Sequence, residues 1–483
     1  MSMGWKTWAR EQLRQRVHTW GVQRAVHRLP WQYWGYQATP MGLSLHGVTM
    51  GELVRAHGSP LHVLNVPHLL ATVAAFAQGG AGIRPVLCCS VKSYPVPGLL
   101  RLLLDAGMQA EVISEHELWM IRQLGVLPGH IIFNGPAKSD EALRWATAHG
   151  VKAIHLNHRE EMARVSALAQ QVGQPARVGF RLRAPGASGQ FGFAMDDPAT
   201  LATIRQALQD PWLQPVSLHG HKGVHLRSHA EVLGHVGPLL GFALTLHREL
   251  NWGAELLDVG GSLAVPTVVP LSRQASRLAW TFGVPTPAPD PAATLSPADY
   301  SQLVCETVAG FCQAHALPVP EVVMEPGRAL TTSAQALLST VLELREDHPL
   351  SFAVTDVGTA VAPSACHEFH QMGLAHQPSR ADAGAGGRAG VGVGCKVYRV
   401  VGPICHLGDV ASPAWALPEL HRGDVLAMMD AGAYFISNAS SFSFPQPGVV
   451  AVWADGRTEL LRRTETSPDM VVRDLVNWSP PIP

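Results

Sequence analysis

The stretch PVLCCSVKSYPVPGLLRLLLDAG, residues 85–107, joins a short apolar run to a leucine-rich segment. The first part is typical of a buried strand, and the second is typical of a helix. A strand that leads into a helix is the repeating unit of a parallel sheet. The predicted strand ends at Lys92, which places an amine at the carboxyl end of that sheet.

Further apolar runs follow at intervals that leave room for a helix between them. They lie at residues 110–113, 130–133, 153–156, 176–182, 216–225, 255–259 and 321–324. Eight strand–helix units in roughly 250 residues is typical of a (β/α)8 barrel of the TIM type. An open doubly wound sheet is the structural alternative, but no G-x-G-x-x-G motif follows the first predicted strand.

Two segments break this alternation. Residues 265–297 are rich in proline and predict a loop inserted between the seventh and eighth strands, and residues 379–394 form a loop rich in glycine and alanine. From about residue 331 the chain consists of short apolar runs separated by turns, and GVVAVWADGRTELLRR (448–463) predicts a β-hairpin. A mainly β domain is therefore expected after the barrel.

These features divide the chain into four parts. They are an extension at 1–42, a segment at 43–65 that contributes to the β domain, the barrel at 66–330 and the C-terminal β domain at 331–483. Within the extension, WKTWAREQLRQRVHTW (5–20) predicts a basic amphipathic helix rich in tryptophan. This helix could pack on the body of the protein or on a second subunit, recruit a partner or an anionic membrane, or serve as a targeting peptide.

Composition bounds the class of protein. The chain has 483 residues, 47% hydrophobic content and a formal net charge of -1, so no bulk charge attracts nucleic acid or an anionic membrane. No apolar run is long enough to span a bilayer, and no secretory signal is expected at the N-terminus. The seven cysteines are odd in number and contain no C-x-x-C pair, so a disulfide framework is not expected. We therefore expect a cytoplasmic location.

The residues that could carry chemistry follow the predicted strand ends, because the C-terminal face of such a barrel holds its active site. Lys92 ends the first strand, HLRS (225–228) follows the sixth, GGS (260–262) follows the seventh and EPGR (325–328) follows the eighth. The barrel would therefore gather a lysine, a histidine, an acid, an arginine and glycine turns at one mouth.

Each of these residue types has a physical role if the ligand is pyridoxal phosphate. The amine of Lys92, in a partly apolar site, would lose its proton more readily and could condense with an aldehyde. Glycine turns bring backbone N–H groups close to a phosphate, and Arg328 adds a forked cation. Glu325 would pair with the ring nitrogen, and the flat imidazole of His225 would lie on the ring face.

At this point the sequence resembles a known family. From about residue 47 to residue 474 it is similar to the fold-type III pyridoxal-phosphate decarboxylases of diaminopimelate, ornithine and arginine, which are related to alanine racemase. The motifs that carry the resemblance are CSVKSYP (89–95), EPGR (325–328), VVGPICHLGD (400–409) and DAGAY (430–434).

The resemblance implies an amino-acid α-decarboxylase that acts on a small molecule as a head-to-tail homodimer with shared active sites. Lys92 would hold the cofactor, and Cys405 of the second subunit would return a proton to the Cα carbon after carbon dioxide leaves. The residues implied around the phosphate are Ser228, Gly260, Gly261, Gly327, Arg328 and Tyr434.

The departures from the family pattern concern the substrate. Relatives that act on diamino acids place an acid after the cysteine, where this chain has His406, and an R-P-x-x-Y segment where this chain has APSAC (362–366). Arg227 replaces a glycine near the phosphate, and together with His406 and Asp409 it is a candidate substrate-binding residue. The distal end of the substrate is therefore expected to be acidic or capped, as in siderophore or other secondary-metabolite intermediates. Diaminopimelate or ornithine is the alternative substrate.

Three other functions stay open from the sequence. A racemase on the same fold is disfavoured by Glu325 and Cys405. A metal-dependent hydrolase barrel would use His219, His221 and His225, because an H-x-H pair on a strand can bind zinc, although no metal is the main expectation. A cofactor-binding regulator without activity is disfavoured by the intact Lys92 and Cys405.

Overall fold

The computed structural model describes residues 28–223, 225–347, 350–378 and 395–475, together with residues 12, 16 and 17. Most of the predicted N-terminal helix and the whole glycine-rich loop at 379–394 lie outside the described residues. Both therefore stay predictions.

The described chain begins with a small antiparallel sheet of β1 (Tyr36–Thr39), β2 (Gly42–Leu45) and β3 (Val48–Thr49). The helix Met50–His57 follows and begins with a capping box. In this box Thr49 Oγ1 accepts a hydrogen bond from the Glu52 backbone N–H at 3.2 Å, and Glu52 Oε2 accepts one from the Thr49 backbone N–H at 2.8 Å. The chain then enters β4 (Leu61–Asn65) and the helix Val66–Phe76, which leads to the barrel.

The largest unit is a closed barrel of eight parallel strands. They are β5 (Val86–Ser90), β6 (Gln109–Val112), β7 (Ile131–Phe133), β8 (Ala153–Leu156), β9 (Ala176–Arg183), β11 (Leu213–Gly220), β12 (Leu256–Asp258) and β13 (Glu321–Met324), with the short β10 (Phe193–Ala194) beside β9. Val323 of β13 pairs with Val86 of β5, and this pairing closes the sheet. The predicted (β/α)8 barrel is confirmed, and each predicted run overlaps one of its strands.

Helices cover the outside of the barrel, and serine hydroxyl groups start several of them. Ser114, Ser139, Ser228 and Ser296 each accept a hydrogen bond from the N–H group three residues later. The barrel helices are Pro97–Asp105, Glu115–Gln123, Asp140–Ala148, Arg159–Val172, Pro198–Gln209, His229–Leu250 and Pro297–His315. Among the helices that the structure describes, none has both the length and the hydrophobicity of a transmembrane segment.

A second sheet forms the C-terminal domain. Its strands are β14 (Gln335–Asp347), β15 (Leu350–Thr355), β16 (Met372–His376), β17 (Lys396–Val401), β18 (Val410–Leu417), β19 (Val425–Met428), β20 (Gly448–Val452) and β21 (Thr458–Arg462). β20 and β21 form the hairpin expected around Gly456. β4 pairs with both β14 and β20, so a strand that precedes the barrel in sequence belongs to this sheet. The four domain boundaries themselves stay predictions.

The proline-rich insertion, residues 265–297, contains the helix Arg273–Phe282 and is attached to the β domain. Ala279 of this helix packs against Val397 and Ala414. Two backbone hydrogen bonds of 2.8 Å, from Leu271 N to His367 O and from Phe369 N to Val269 O, hold the start of the insertion along the segment 367–369. The expected loop thus carries ordered structure of its own.

Candidate active site

Lys92 lies directly after β5 in a single 3-10 turn, Val91–Ser93, and its amine meets an acid from the neighbouring strand. The Lys92 Nζ atom is 2.5 Å from Oε2 of Glu111, a fully buried residue of β6. Ser90 Oγ donates to the same oxygen at 2.6 Å. Burial acts to lower the pKa of Lys92, but the charges of Glu111 and Glu325 outweigh burial and raise it. The two carboxyl groups thus oppose the loss of a proton that the sequence leads us to expect from burial.

Two more carboxyl groups end the neighbouring strands. Glu325 follows β13 and Asp258 ends β12, and both are buried. Burial and the proximity of Asp258 and Glu111 raise the pKa of Glu325 well above its ordinary value. Burial also raises the pKa of Asp258, to about 7. Asn134 Nδ2 connects the group, because it donates to Glu325 Oε1 at 2.7 Å and to Glu111 Oε1 at 3.0 Å.

Two buried histidines lie close to these acids, with His155 Nδ1 4.0 Å from Asp258 Oδ2 and His219 Nε2 3.7 Å from Glu325 Oε2. The rings of His155 and His219 stack with centroids 4.7 Å apart, and burial lowers the pKa of both, that of His155 to about 3. His155 Nδ1 is 2.6 Å from Asn134 Oδ1, and its Nε2 is 2.9 Å from Ser217 Oγ. Its ring nitrogens are thus occupied by hydrogen bonds.

These contacts bear on the metal-site alternative. Among the described residues, His155, His219, Asp258 and Glu325 are the one group whose ligand atoms lie close enough to hold a metal, all within 4.8 Å of one another. The group includes neither His221 nor His225, so the three-histidine site proposed from the sequence is not assembled. His155 could become a ligand only by giving up a hydrogen bond.

The histidine that faces Lys92 differs from the sequence-based choice. β11 ends at Gly220, so His221 is the first residue past the strand, and it lines the same cavity as Lys92 and Glu325. The backbone N–H of Gly261 donates to its Nδ1 at 3.4 Å. His225 is not part of the lining of this cavity, and its backbone has a φ of 80°. Burial, and then the charge of Arg328, lower the pKa of His225. The predicted strand extends to residue 225, five residues beyond the observed end of β11.

The glycine turns are closely packed, as a phosphate-binding site requires. A Cβ atom on Gly261 would lie 1.8 Å from the carbonyl oxygen of Glu325, and one on Gly327 would lie 3.0 Å from Ser93 Cβ. Gly260 has a φ of 66°, which favours glycine. Arg328 lies over the Tyr434 ring at 5.4 Å, so these two predicted residues are brought together.

Two residues predicted for ligand contacts have other partners. Ser228 is exposed and forms the capping box of the helix His229–Leu250 with Glu231. Arg227 ties the loop after β11 to the insertion, because its Nη1 donates to Thr294 Oγ1 and its Nη2 donates to the Val268 carbonyl oxygen, each at 2.9 Å. These contacts favour structural roles for both side chains.

The cysteine motif forms an exposed loop between β17 and β18. Cys405 and His406 are exposed, and neither lines the cavity of Lys92 in the same chain. Asp409 is buried instead: its Oδ2 accepts from the Ile404 N–H at 2.8 Å, and its Oδ1 accepts from the Thr359 N–H at 2.7 Å. Asp409 therefore holds the base of this loop, which differs from the predicted contact with substrate.

The cavity at the barrel mouth has a volume of about 630 Å³. This volume lies within the range of typical cofactor and ligand sites. Its lining includes Lys92, Glu111, Glu325 and His221, together with the cationic residues Arg181 and Arg183. The glycine turns and Arg328 do not line this cavity, but they follow β12 and β13, the strands that carry Asp258 and lead to Glu325. The amine, the buried acid and the flat ring of the cavity, with these turns and the arginine, fit a phosphorylated pyridine aldehyde.

Comparison with known proteins decides the family. A family model described as the pyridoxal binding domain of pyridoxal-dependent decarboxylases matches residues 71–332. The chain belongs to the pyridoxal-dependent decarboxylase family. It is therefore a carboxy-lyase that uses pyridoxal phosphate.

Similar members of this decarboxylase family cover nearly the whole chain. The diaminopimelate decarboxylase of Archaeoglobus fulgidus is 25% identical over 90% of this chain and 98% of that protein, and the one of Bacillus subtilis is 26% identical over 90% and 95%. The solved structure of diaminopimelate decarboxylase from M. jannaschii has a TM-score of 0.78 at 21% identity and covers 92% of this chain and 98% of that one. A lysine/ornithine decarboxylase from Vibrio vulnificus has a TM-score of 0.66 at 18% identity, over 83% and 97%.

The placement of His221 in this decarboxylase can be tested against that of His225. We expect His221→Ala to weaken pyridoxal phosphate binding by roughly fivefold, because one aromatic stacking contact contributes about 1 kcal/mol. His221→Phe keeps a flat ring and should bind nearly as well as the wild type, and His225→Ala should change affinity less than His221→Ala. Absorbance titration of cofactor-free protein measures all four affinities. A larger loss for His225→Ala than for His221→Ala would contradict this assignment.

Proposed function

We propose that this decarboxylase acts on an amino acid or amino-acid conjugate whose distal end is acidic or capped. The observation that carries the proposal is the charge of the cavity wall, since Arg181, Arg183 and Lys222 line the same cavity as Lys92. Arg183 Nη1 is held by the carbonyl oxygens of Gly189 at 2.9 Å and Gly192 at 3.2 Å. A distal carboxylate would be attracted to these cations, and a distal ammonium would be repelled.

The sequence departures support the same substrate class. His406 stands where diamino-acid decarboxylases of this family place an acid, and the segment 362–366 lacks the arginine and tyrosine of their distal site. Arg227, a candidate substrate-binding residue from the sequence, forms its hydrogen bonds with the insertion. The proposal therefore depends on Arg183 and Lys222 more than on Arg227.

The described residues can be given roles in decarboxylation. Pyridoxal phosphate, when bound, draws electrons from the Cα carbon of an amino acid, so that its carboxyl group can leave as carbon dioxide. Lys92 would hold the aldehyde carbon, and Glu325 would face the ring nitrogen. His221 would cover one face of the ring, and Gly261 and Arg328 would bind the phosphate.

A second copy of the chain would complete the site. Cys405 lies on an exposed loop whose base is held by Asp409, and the neighbouring Leu407 is 100% exposed. Because Cys405 does not line the Lys92 cavity of its own chain, it could act in such a cavity only from a second copy of the chain. We propose a homodimer in which Cys405 of one chain reaches the Lys92 cavity of the other and returns a proton to Cα.

Mixing two inactive variants tests this shared site. Lys92→Ala and Cys405→Ala should each have little activity as pure proteins. A mixture in equal amounts, after subunit exchange, should recover about a quarter of the wild-type rate, because half of the dimers are mixed and each has one intact site. A mixture that stays as inactive as its components, or a protein that sediments only as a monomer, would contradict the dimer.

Diaminopimelate decarboxylase is the second candidate function. Several similar proteins that cover about nine-tenths of this chain carry that name, at identities between 23% and 27%. Diaminopimelate has a distal carboxylate that Arg183 could bind. It also has a distal ammonium group, and among the described residues the only acid on the cysteine loop that could pair with this group is Asp409, which is buried.

A substrate panel distinguishes the two candidates. Carbon dioxide release would be measured with diaminopimelate, ornithine, glutamate and a citryl-amino-acid conjugate. We expect kcat/KM for the conjugate or for glutamate to exceed that for ornithine by about a hundredfold, which is the scale of one unfavourable charge contact in a cavity. An Arg183→Gln variant should lose most of that preference. Equal or faster release from ornithine or diaminopimelate would contradict the acidic or capped distal end.

A further inference from the structure

A carboxylate that no motif identifies lies against the arginine of EPGR. Glu368 Oε1 and Oε2 lie 3.0 Å and 3.1 Å from Nη1 of Arg328, and both side chains are mostly buried. Glu368 Oε2 is also 3.5 Å from His370 Nε2. Burial acts to raise the pKa of Glu368, but the neighbouring His370 imidazole and the charge of Arg328 outweigh it and lower the pKa to about 2. Glu368 is thus an ionised partner of Arg328.

This contact leaves part of the guanidinium group available. Both carboxylate oxygens of Glu368 contact the same nitrogen, Nη1. The Nε atom of Arg328 is buried and has no hydrogen-bond partner among the described residues. A guanidinium group has donors along more than one edge, so one anion on Nη1 does not exclude a second anion on the Nε edge.

The insertion determines where Glu368 lies. Residues 367–369 run beside the start of the insertion, where Pro270 and Glu368 form an antiparallel bridge. The hydrogen bonds from Leu271 N to His367 O and from Phe369 N to Val269 O lie on either side of that bridge. Val269 and Leu271 also pack against the core of the β domain. The backbone of Glu368 is therefore fixed by residues far from it in sequence.

We propose that Glu368 is a positioning residue for the cofactor phosphate: it fixes Nη1 of Arg328 and directs the Nε edge toward a phosphate oxygen. The inference rests on the proposed placement of the phosphate at Arg328. A carboxylate that only neutralised part of the arginine charge would compete with the phosphate instead. The two effects change phosphate affinity in opposite directions, so one measurement separates them.

The experiment compares ligands with and without a phosphate. Cofactor-free protein would be titrated with pyridoxal phosphate and with pyridoxal, and absorbance would report both dissociation constants. We expect Glu368→Gln to reduce the preference for the phosphorylated ligand about tenfold, the scale of one charge-assisted hydrogen bond. Affinity for pyridoxal should not change. Glu368→Asp should restore part of the preference, and Glu419→Gln, which removes an exposed carboxylate from the same domain, should leave it unchanged.

An unchanged preference in Glu368→Gln would overturn the inference, and so would an increased preference, which would identify Glu368 as a competitor of the phosphate. If Glu368→Gln does not fold, a preference in Glu368→Asp equal to that of the wild type overturns the inference, and a reduced one supports it. Arg328→Gln separates this inference from the proposed site. No loss of preference in Arg328→Gln would show that the phosphate binds elsewhere. A loss in Arg328→Gln without one in Glu368→Gln would refute only the role of Glu368.

Discussion

One ammonium group among three buried carboxyl groups is the constraint on which the site depends. Lys92 can balance one of the charges of Glu111, Asp258 and Glu325, and its direct partner is Glu111 at 2.5 Å. Burying several unpaired carboxylates would be very costly, so the remaining acids favour the protonated form. Burial first, and then the charges of the neighbouring carboxyl groups, raise the pKa of both Asp258 and Glu325, and Lys92 opposes this only in part. The pyridine nitrogen of the cofactor can hold a proton, so Glu325 could share its proton with that nitrogen.

The barrel could be predicted from the sequence because its strands are buried on both faces. Such strands are continuous apolar runs, and each of the eight predicted runs overlaps an observed strand. Lys92 and Glu325 could be located for a related reason, since residues just past buried parallel strands collect at one end of the barrel. Gly261 and Gly327 could also be predicted from the sequence, because the GGS and EPGR motifs indicate where the backbone must pack closely.

The residues that could not be predicted depend on contacts between distant segments. His221 was missed because the apolar run into residue 225 hid the true end of β11 at Gly220, although the H-x-H spacing of His219 and His221 was a usable signal. Glu111, in β6, and Asn134, just after β7, receive no role from the sequence, because the side chains that they contact belong to other strands of the barrel. The roles of Arg227 and Asp409 changed for a similar reason: their partners, Thr294 and Thr359, lie about 70 and 50 residues away in sequence. No local pattern reports such a partner.

The central claim is that the Lys92 amine captures the pyridoxal aldehyde at the mouth of this barrel. Borohydride reduction of the protein with its cofactor, followed by peptide mapping, measures the attachment point directly. The account predicts one labelled peptide that contains Lys92, and a Lys92→Ala variant that carries no label. A label on another lysine, or unlabelled wild-type protein at saturating cofactor, would contradict it.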